Sequence, residues 1–173
     1  MGRFSIDAIN LCWINGVEDN PEDLCLHGHA VAYIGSSVLE YDATVSATAL
    51  YLLKSITEDH IIHKDNQILP CCGFFYIPND RLDEIHISGC TNGIDWTILH
   101  DNEDIVLILE DGVECHIPLE EYREEVFRFA DKIEAFYAKC TPKIVTGDDF
   151  DRNGYIAFWN EWHRRRNGIN ENS

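Results

Sequence analysis

Two short apolar segments joined by Asp111-Gly112 constrain the fold of this chain more than any other feature. Asp-Gly is a preferred pair for a two-residue type I′ turn, so the sequence predicts a β-hairpin here. The predicted cross-strand partners are Val106 with Ile117, Ile108 with Cys115, and Glu110 with Val113. The first segment is apolar on both faces and the second alternates. We therefore expect the first strand in the interior of a sheet and the second nearer an edge.

The segment that follows the hairpin has apolar residues at helical spacing. From Leu119 the apolar period changes from two residues to about 3.6. One stripe contains Tyr122, Val126, Phe129, Ile133, Phe136, Tyr137 and Cys140. This pattern predicts an amphipathic helix over residues 119–140, with Phe129 and Ile133 buried against the sheet.

The remaining elements follow from the same two periodicities. Apolar segments bounded by turn residues predict further strands at 4–14, 28–41, 74–77, 84–88 and 95–100. Helical spacing predicts two more helices, at 44–60 and 153–166. A chain of 173 residues is about one domain long. We expect an α+β fold in one globular domain over 1–173, mainly an antiparallel sheet of five or more strands with about three helices packed on it, and 169–173 as a loose tail.

The sequence predicts a protein that is neither exported nor inserted into a membrane. No apolar segment approaches the eighteen or so residues that a membrane-spanning helix requires. The first residues, Met1-Gly2-Arg3-Phe4-Ser5, lack the apolar centre of a signal peptide, so a cytoplasmic location is expected. Seven cysteines are then expected as free thiols, with Cys115 and Cys140 on the apolar faces of their elements.

The net charge of −18 is the strongest compositional signal about function. An acidic protein repels nucleic acids and anionic lipids, so neither is an expected partner, and a basic protein is the natural complement. Residues 101–134 contain twelve acids and three bases, a net charge of −9 and half of the total. The alternative interpretation is a solvated surface that aids solubility.

Six acidic residues in this stretch are the predicted partner-binding residues. Three lie in a predicted loop, so their side chains are not required for helix packing. The other three lie on or near the polar side of the predicted helix. They are Asp101, Glu103, Asp104, Glu120, Glu121 and Glu124.

The spacing of the histidine and cysteine residues predicts no metal site, and it does not identify a catalytic residue. The candidates are His27-x-His29, His60-x-x-His63, and Cys71-Cys72 with Cys90; none matches a zinc finger, a zinc ribbon or a metalloprotease helix. Nucleotide-binding and serine-hydrolase signatures are also absent from the sequence, and no cofactor is expected. A Cys72 nucleophile with a histidine base stays open as an enzymatic alternative. The Arg164–Arg166 cluster is interpreted as a structural feature of a helix C-terminus.

The last third of the chain contains residues 129–137 (FADKIEAFY) and 155–162 (YIAFWNEW). With its small size, its acidity and its expected fold, the chain resembles the immunity proteins of bacterial polymorphic and contact-dependent toxin systems. The resemblance implies a tight inhibitory complex in which carboxylates mimic the charge of a toxin's nucleic acid substrate, and it assigns no individual residue. Two other functions remain open: a small thiol- or carboxylate-dependent hydrolase, and a stand-alone regulatory protein.

Overall fold

The computed structural model describes residues 4–73 and 75–168, and the α+β fold expected from the sequence is confirmed. Its three α-helices are α1 (Val45–Ser55), α2 (Leu119–Lys139) and α3 (Asp149–Asn167). Helix α1 ends earlier than predicted, and α3 begins earlier because the Asp148 carboxylate accepts the N–H groups of Phe150 and Asp151 as an N-cap. None of these three described helices is long and apolar enough to cross a membrane. The tail predicted at 169–173 lies outside the described residues.

In the described part of the chain the strands form four small antiparallel sheets, where the sequence predicted one sheet of five or more strands. The strands are β1 (Phe4–Cys12), β2 (His27–Ile34), β3 (Ser37–Ala43), β4 (Leu69–Pro70), β5 (Phe75–Pro78), β6 (Ile85–Ser88), β7 (Gly93–Ile94), β8 (Thr97–Asp101), β9 (Asp104–Ile108) and β10 (Glu114–Pro118). Strands β1, β2 and β3 form one sheet, and β8, β9 and β10 form another. Strand β4 pairs with β7, and β5 with β6.

The β9–β10 hairpin forms as predicted, but its register differs by one residue. Leu109 and Val113 close the turn, with the N–H of Leu109 2.9 Å from the carbonyl oxygen of Val113. The loop therefore holds three residues, and the left-handed φ of 84° falls only on its last residue, Gly112. A type I′ turn requires two successive positive φ values, so the two-residue turn was the wrong prediction. The interior position of β9 and the edge position of β10 are confirmed.

Helix α1 occupies the centre of the core, between the other two helices and the strands. Nine of its eleven residues are buried, which is the pattern of a helix surrounded by protein. Helix α2 packs against α1 and across β1, where the rings of Phe4 and Tyr122 lie 5.1 Å apart. Phe129 and Ile133 are fully buried, as the apolar stripe predicted.

Helix α3 packs on β5 through a close approach between backbones. A Cβ atom at Gly154 would lie 2.5 Å from the carbonyl oxygen of Tyr76, so no larger residue fits there. One turn later the ring of Phe158 stacks on the ring of Tyr76 at 4.9 Å. Trp162, one turn further along α3, is also fully buried.

A buried charge cluster joins α3 to α1 and β6. Glu161 is fully buried, and its two oxygens accept from Arg165 Nε (2.8 Å) and from the backbone N–H of Ile85 (2.7 Å). Lys54 Nζ lies 3.3 Å from Glu161, and Glu58 accepts from Arg165 Nη2. Burial opposes the charge of Arg165, but its hydrogen bonds with Glu58 and Glu161 raise the pKa of the guanidinium above its ordinary value. The structural interpretation of Arg164–Arg166 is confirmed, since each arginine pairs with an acid.

Candidate functional site

The fold brings the six predicted partner-binding acids to one end of the β8–β9–β10 sheet, which we call the acidic edge. Asp101 ends β8 and pairs directly with Asp104, the first residue of β9. The turn between them depends on a left-handed φ of 57° at Asn102, a conformation that asparagine tolerates. The carbonyl oxygen of Glu103 accepts the N–H of Leu119 at 2.8 Å, which holds the loop against the start of α2. The first two turns of α2 then supply Glu120, Glu121 and Glu124.

All six acids of the acidic edge are exposed, and most of them have no cation beside them. Glu120 pairs with Arg123, and the amide of Asn102 donates to Asp101. Among the described residues, no ion pair involves Asp101, Glu103, Asp104, Glu121 or Glu124. On the later turns of α2, on α3 and on β1, by contrast, exposed or half-buried acids form the ion pairs Glu125–Arg128, Asp131–Arg166, Asp149–Arg152 and Asp7–Lys132. Part of the charge has a structural role, because acids in the first turn of a helix interact favourably with its dipole.

A cleft of about 690 Å³ opens at the opposite end of the same sheet. Its walls come from β3, the 62–67 loop, the 91–95 segment and the β9–β10 turn. Its apolar lining residues are Leu39, Ile62, Ile94 and Leu109. Its polar lining residues are Ser37, His63, Gln67, Thr91, Asp95, Glu110 and Asp111. The cleft therefore combines an apolar lining with three carboxylates, a combination that suits a long cationic side chain.

Asp95 is the most constrained of these carboxylates. Its side chain is only 8% exposed, and its Oδ1 atom accepts from His60 Nε2 (2.7 Å) and from the backbone N–H of Ile68 (3.1 Å). Its Oδ2 atom is buried and has no hydrogen-bond partner in the described part of the chain. An unpartnered buried carboxylate oxygen is costly, so Asp95 has unused capacity to accept from a donor.

The sequence did not indicate this cleft. Glu110 was interpreted as a strand residue paired with Val113, Asp111 as a turn residue, and Asp95 as the start of a strand. No local pattern links Asp95 to His60, because the contact depends on a long-range bridge between His60 and Ile98.

The histidines and cysteines considered as catalytic or metal-binding residues have other neighbours in the structure. The Cys72 sulfur accepts from the backbone N–H of Cys90, where the enzymatic alternative required a histidine. His60 is oriented by Asp95, while the nearby Ser55 hydroxyl is buried in hydrogen bonds with Leu52 and Tyr122. Within residues 4–73 and 75–168, no group of three or more histidine, cysteine, aspartate or glutamate side chains is arranged to hold a metal ion.

The pKa of His29, on β2, is affected by two acids of β3 that face its ring. Its Nδ1 lies 2.8 Å from Asp42 Oδ1, and its Nε2 lies 3.7 Å from Glu40 Oε2. The hydrogen bond with Asp42 and the charges of both acids raise the pKa of His29 above its ordinary value of about 6.5. The stabilisation from this cluster is therefore complete below about pH 6.5 and is lost as the pH rises through the folded-state pKa.

We expect an NMR titration of the His29 ring to have its midpoint above about pH 6.5. Asp42→Asn should move the midpoint back toward that value, because it removes the main charged acceptor. A wild-type midpoint at or below the ordinary value would contradict this account of the β2–β3 surface.

Searches of protein-family models, of curated proteins and of solved structures found no match to this chain. A function is therefore argued from the geometry and charge of the two surfaces described above.

Proposed function

We propose that this chain is a cytoplasmic binding protein that recognises a basic protein, with the cleft as the anchor point for a lysine or arginine of the partner. The supporting observation is the composition of the cleft, in which apolar side chains and three carboxylates line the same space. The aliphatic stem of a lysine or arginine packs on apolar surface, while its charged head group pairs with carboxylates. The resemblance to immunity proteins suggests that the partner is a toxin, which the complex would inhibit.

The unused acceptor on Asp95 adds specificity to this proposal. A guanidinium or ammonium group donates hydrogen bonds and accepts none, so it complements an orphaned carboxylate oxygen. Glu110 and Asp111 lie on the hairpin turn at the mouth of the cleft, and both are exposed. They would make the first contact with a cation, and Asp95 Oδ2, which is buried in the free protein, would become accessible to it on binding.

The acidic edge has a different role in the proposed complex. Exposed and unpaired carboxylates contribute little to the lifetime of a complex, but they accelerate the encounter with a basic protein. This division of roles separates two kinetic effects. The acidic edge should determine the association rate and its salt dependence, and the cleft should determine the dissociation rate.

The experiment measures how fast this protein associates with, and dissociates from, the product of the adjacent gene. For an immunity protein, that adjacent gene encodes the toxin. Glu110→Gln with Asp111→Asn should raise the dissociation rate at least about tenfold, which corresponds to about 1.4 kcal/mol. Asparagine at position 111 keeps an oxygen that can accept the N–H of Val113, so the turn should persist. Asp101→Asn, Glu103→Gln and Asp104→Asn together should lower the association rate about tenfold at low salt and reduce its salt dependence.

A matched control removes two charges from a different surface. Glu18→Gln with Glu22→Gln changes exposed acids in the loop between β1 and β2 and should leave both rates unchanged. An unchanged dissociation rate in the cleft variant would exclude the cleft as the anchor. Absence of binding to the neighbouring gene product would contradict the proposed toxin partner.

A further inference from the structure

Three cysteines from two separate segments come together beside the β4–β7 ladder. That ladder pairs Leu69 with Ile94 and Pro70 with Gly93, and the N–H of Cys71 continues it by donating to the carbonyl oxygen of Asn92 at 3.0 Å. The segments 71–73 and 89–92 therefore run side by side, and they contain Cys71, Cys72 and Cys90.

A glycine permits the closest part of this contact. A Cβ atom at Gly89 would lie 2.3 Å from the carbonyl oxygen of Cys72, far inside van der Waals contact. Because Gly89 has no side chain, the backbone of the next residue reaches the Cys72 side chain. The N–H of Cys90 then donates to Cys72 Sγ at 3.0 Å. This hydrogen bond places the backbone of one cysteine against the sulfur of the other, so the two residues are in direct contact.

The two thiols differ in the direction of their pKa shifts because their surroundings differ. The Cys72 thiol and the backbone of Asn92 stabilise the Cys90 thiolate, which lowers the pKa of Cys90 below its ordinary value. The pKa of Cys72 is raised, because its position as donor to Cys90 and its burial outweigh the hydrogen bond from the Cys90 N–H. Both side chains are partly exposed. Cys25, by contrast, is buried and its pKa is raised to about 12.

We propose that Cys72 and Cys90 form a redox-active dithiol that reacts with a low-molecular-weight disulfide, such as oxidised glutathione, and closes into an intramolecular disulfide. Cys90 is the attacking residue, since it has the more available thiolate and is reachable from solvent. Cys72 is the resolving residue, since its sulfur adjoins Cys90. The proposal does not depend on the function proposed above.

The reaction balances as two thiol–disulfide exchanges. The Cys90 thiolate attacks one sulfur of the oxidant, breaks its S–S bond and releases one glutathione thiolate, leaving a mixed disulfide on Cys90. Cys72 then loses its proton to solvent and attacks the Cys90 sulfur, which releases the second glutathione thiolate. The protein loses two electrons and two protons, and one glutathione disulfide is reduced to two thiols.

Neighbouring cysteines are less suited to this reaction. The Cys71 side chain also hydrogen-bonds to the Cys90 thiol, but the N–H of Cys90 is directed at the sulfur of Cys72. Cys115 is buried, and the Cys140 sulfur interacts with the indole N–H of Trp13 at 3.4 Å. In a reducing compartment a disulfide of this kind is transient, as is usual for redox-sensing pairs.

The test uses the full chain in a series of buffers with increasing ratios of oxidised to reduced glutathione. Free thiols are blocked with N-ethylmaleimide, and the digested protein is analysed by mass spectrometry. We expect one cross-linked peptide pair joining Cys72 to Cys90, lighter by two hydrogens than the reduced pair, with the other five cysteines alkylated. Cys72→Ser should lose the cross-link and accumulate glutathione on Cys90, whereas Cys90→Ser should lose both products.

Cys71→Ser is the matched control, because it removes the adjacent thiol and should leave the cross-link intact. A cross-link from Cys71 to Cys90, or alkylation of all seven cysteines under fully oxidising conditions, would overturn the proposal. A second measurement uses only the wild-type chain, so it does not depend on whether the variants fold. The reduced wild-type chain should retain one equivalent of phenylarsine oxide, a reagent that bridges two nearby thiols, and failure to retain it would also overturn the proposal.

Discussion

Replacing Phe129 with alanine is expected to lower the free energy of unfolding by about 3–5 kcal/mol, the usual cost of removing a large buried aromatic side chain. Phe129 is fully buried on the face of α2 that packs against α1 and β1. Its removal loses apolar burial and leaves a cavity in a part of the core where α1 is surrounded on nearly all sides. Urea unfolding of the wild type and the variant measures the loss as a lower midpoint at a similar slope.

The control for Phe129→Ala is the same chemical change at an exposed site. Phe150 lies in the first turn of α3 with 42% of its surface exposed, and its ring contacts that of Phe75 at 5.8 Å. Phe150→Ala should therefore cost about 1 kcal/mol or less, the scale of one aromatic contact. Equal losses at the two positions would contradict the assignment of the α2 stripe to the core.

Glu161→Ala is expected to destabilise the fold by about 3–5 kcal/mol, although it removes only one small side chain. The variant leaves Arg165 buried with one fewer acceptor, and it leaves the backbone N–H of Ile85 without its partner. Burying a charge without compensation costs more than the pair contributes when it is intact. Chemical unfolding measures this loss, and it should be as large as that of a core cavity.

Glu84→Ala provides the comparison for an exposed ion pair that also involves an arginine of α3. Glu84 pairs with Arg164 at 3.1 Å, and both side chains are about half exposed, so its loss should cost about 0–1 kcal/mol. A double-mutant cycle between Glu161→Ala and Arg165→Ala separates the pair from its surroundings. Strictly additive losses in that cycle would contradict a coupled buried pair.

Local periodicity was sufficient to predict the helices but not the pairing of strands. The apolar stripe of α2 repeats several times within one segment, so its buried face followed from the sequence alone. The β9–β10 register depended on whether Asp111-Gly112 adopts two positive φ values or one, and the residue types allow both. The division into four sheets depends on contacts such as the His60–Ile98 bridge, which no local pattern contains.

The acidic edge could be predicted from the sequence, and the cleft could not. The acids of the acidic edge are close in sequence and polar, so charge patterning was enough to predict their exposure. The cleft is assembled from four separate segments. One of its residues, Asp95, is oriented by a hydrogen bond with His60, which lies 35 positions away in the sequence. Cys72 and Cys90 are likewise 18 positions apart and meet only because Gly89 allows the segments to touch.

The position of α3 also has a consequence for how the chain folds as it is synthesised. Tyr76, Ile85 and Lys54 emerge from the ribosome long before Phe158 and Glu161, their partners in α3. Until α3 emerges, the nascent chain exposes the apolar face of β5 and leaves the charge site at the end of α1 unfilled. Such incomplete surfaces promote association between chains, so the interval before α3 docks is the period of greatest risk of aggregation.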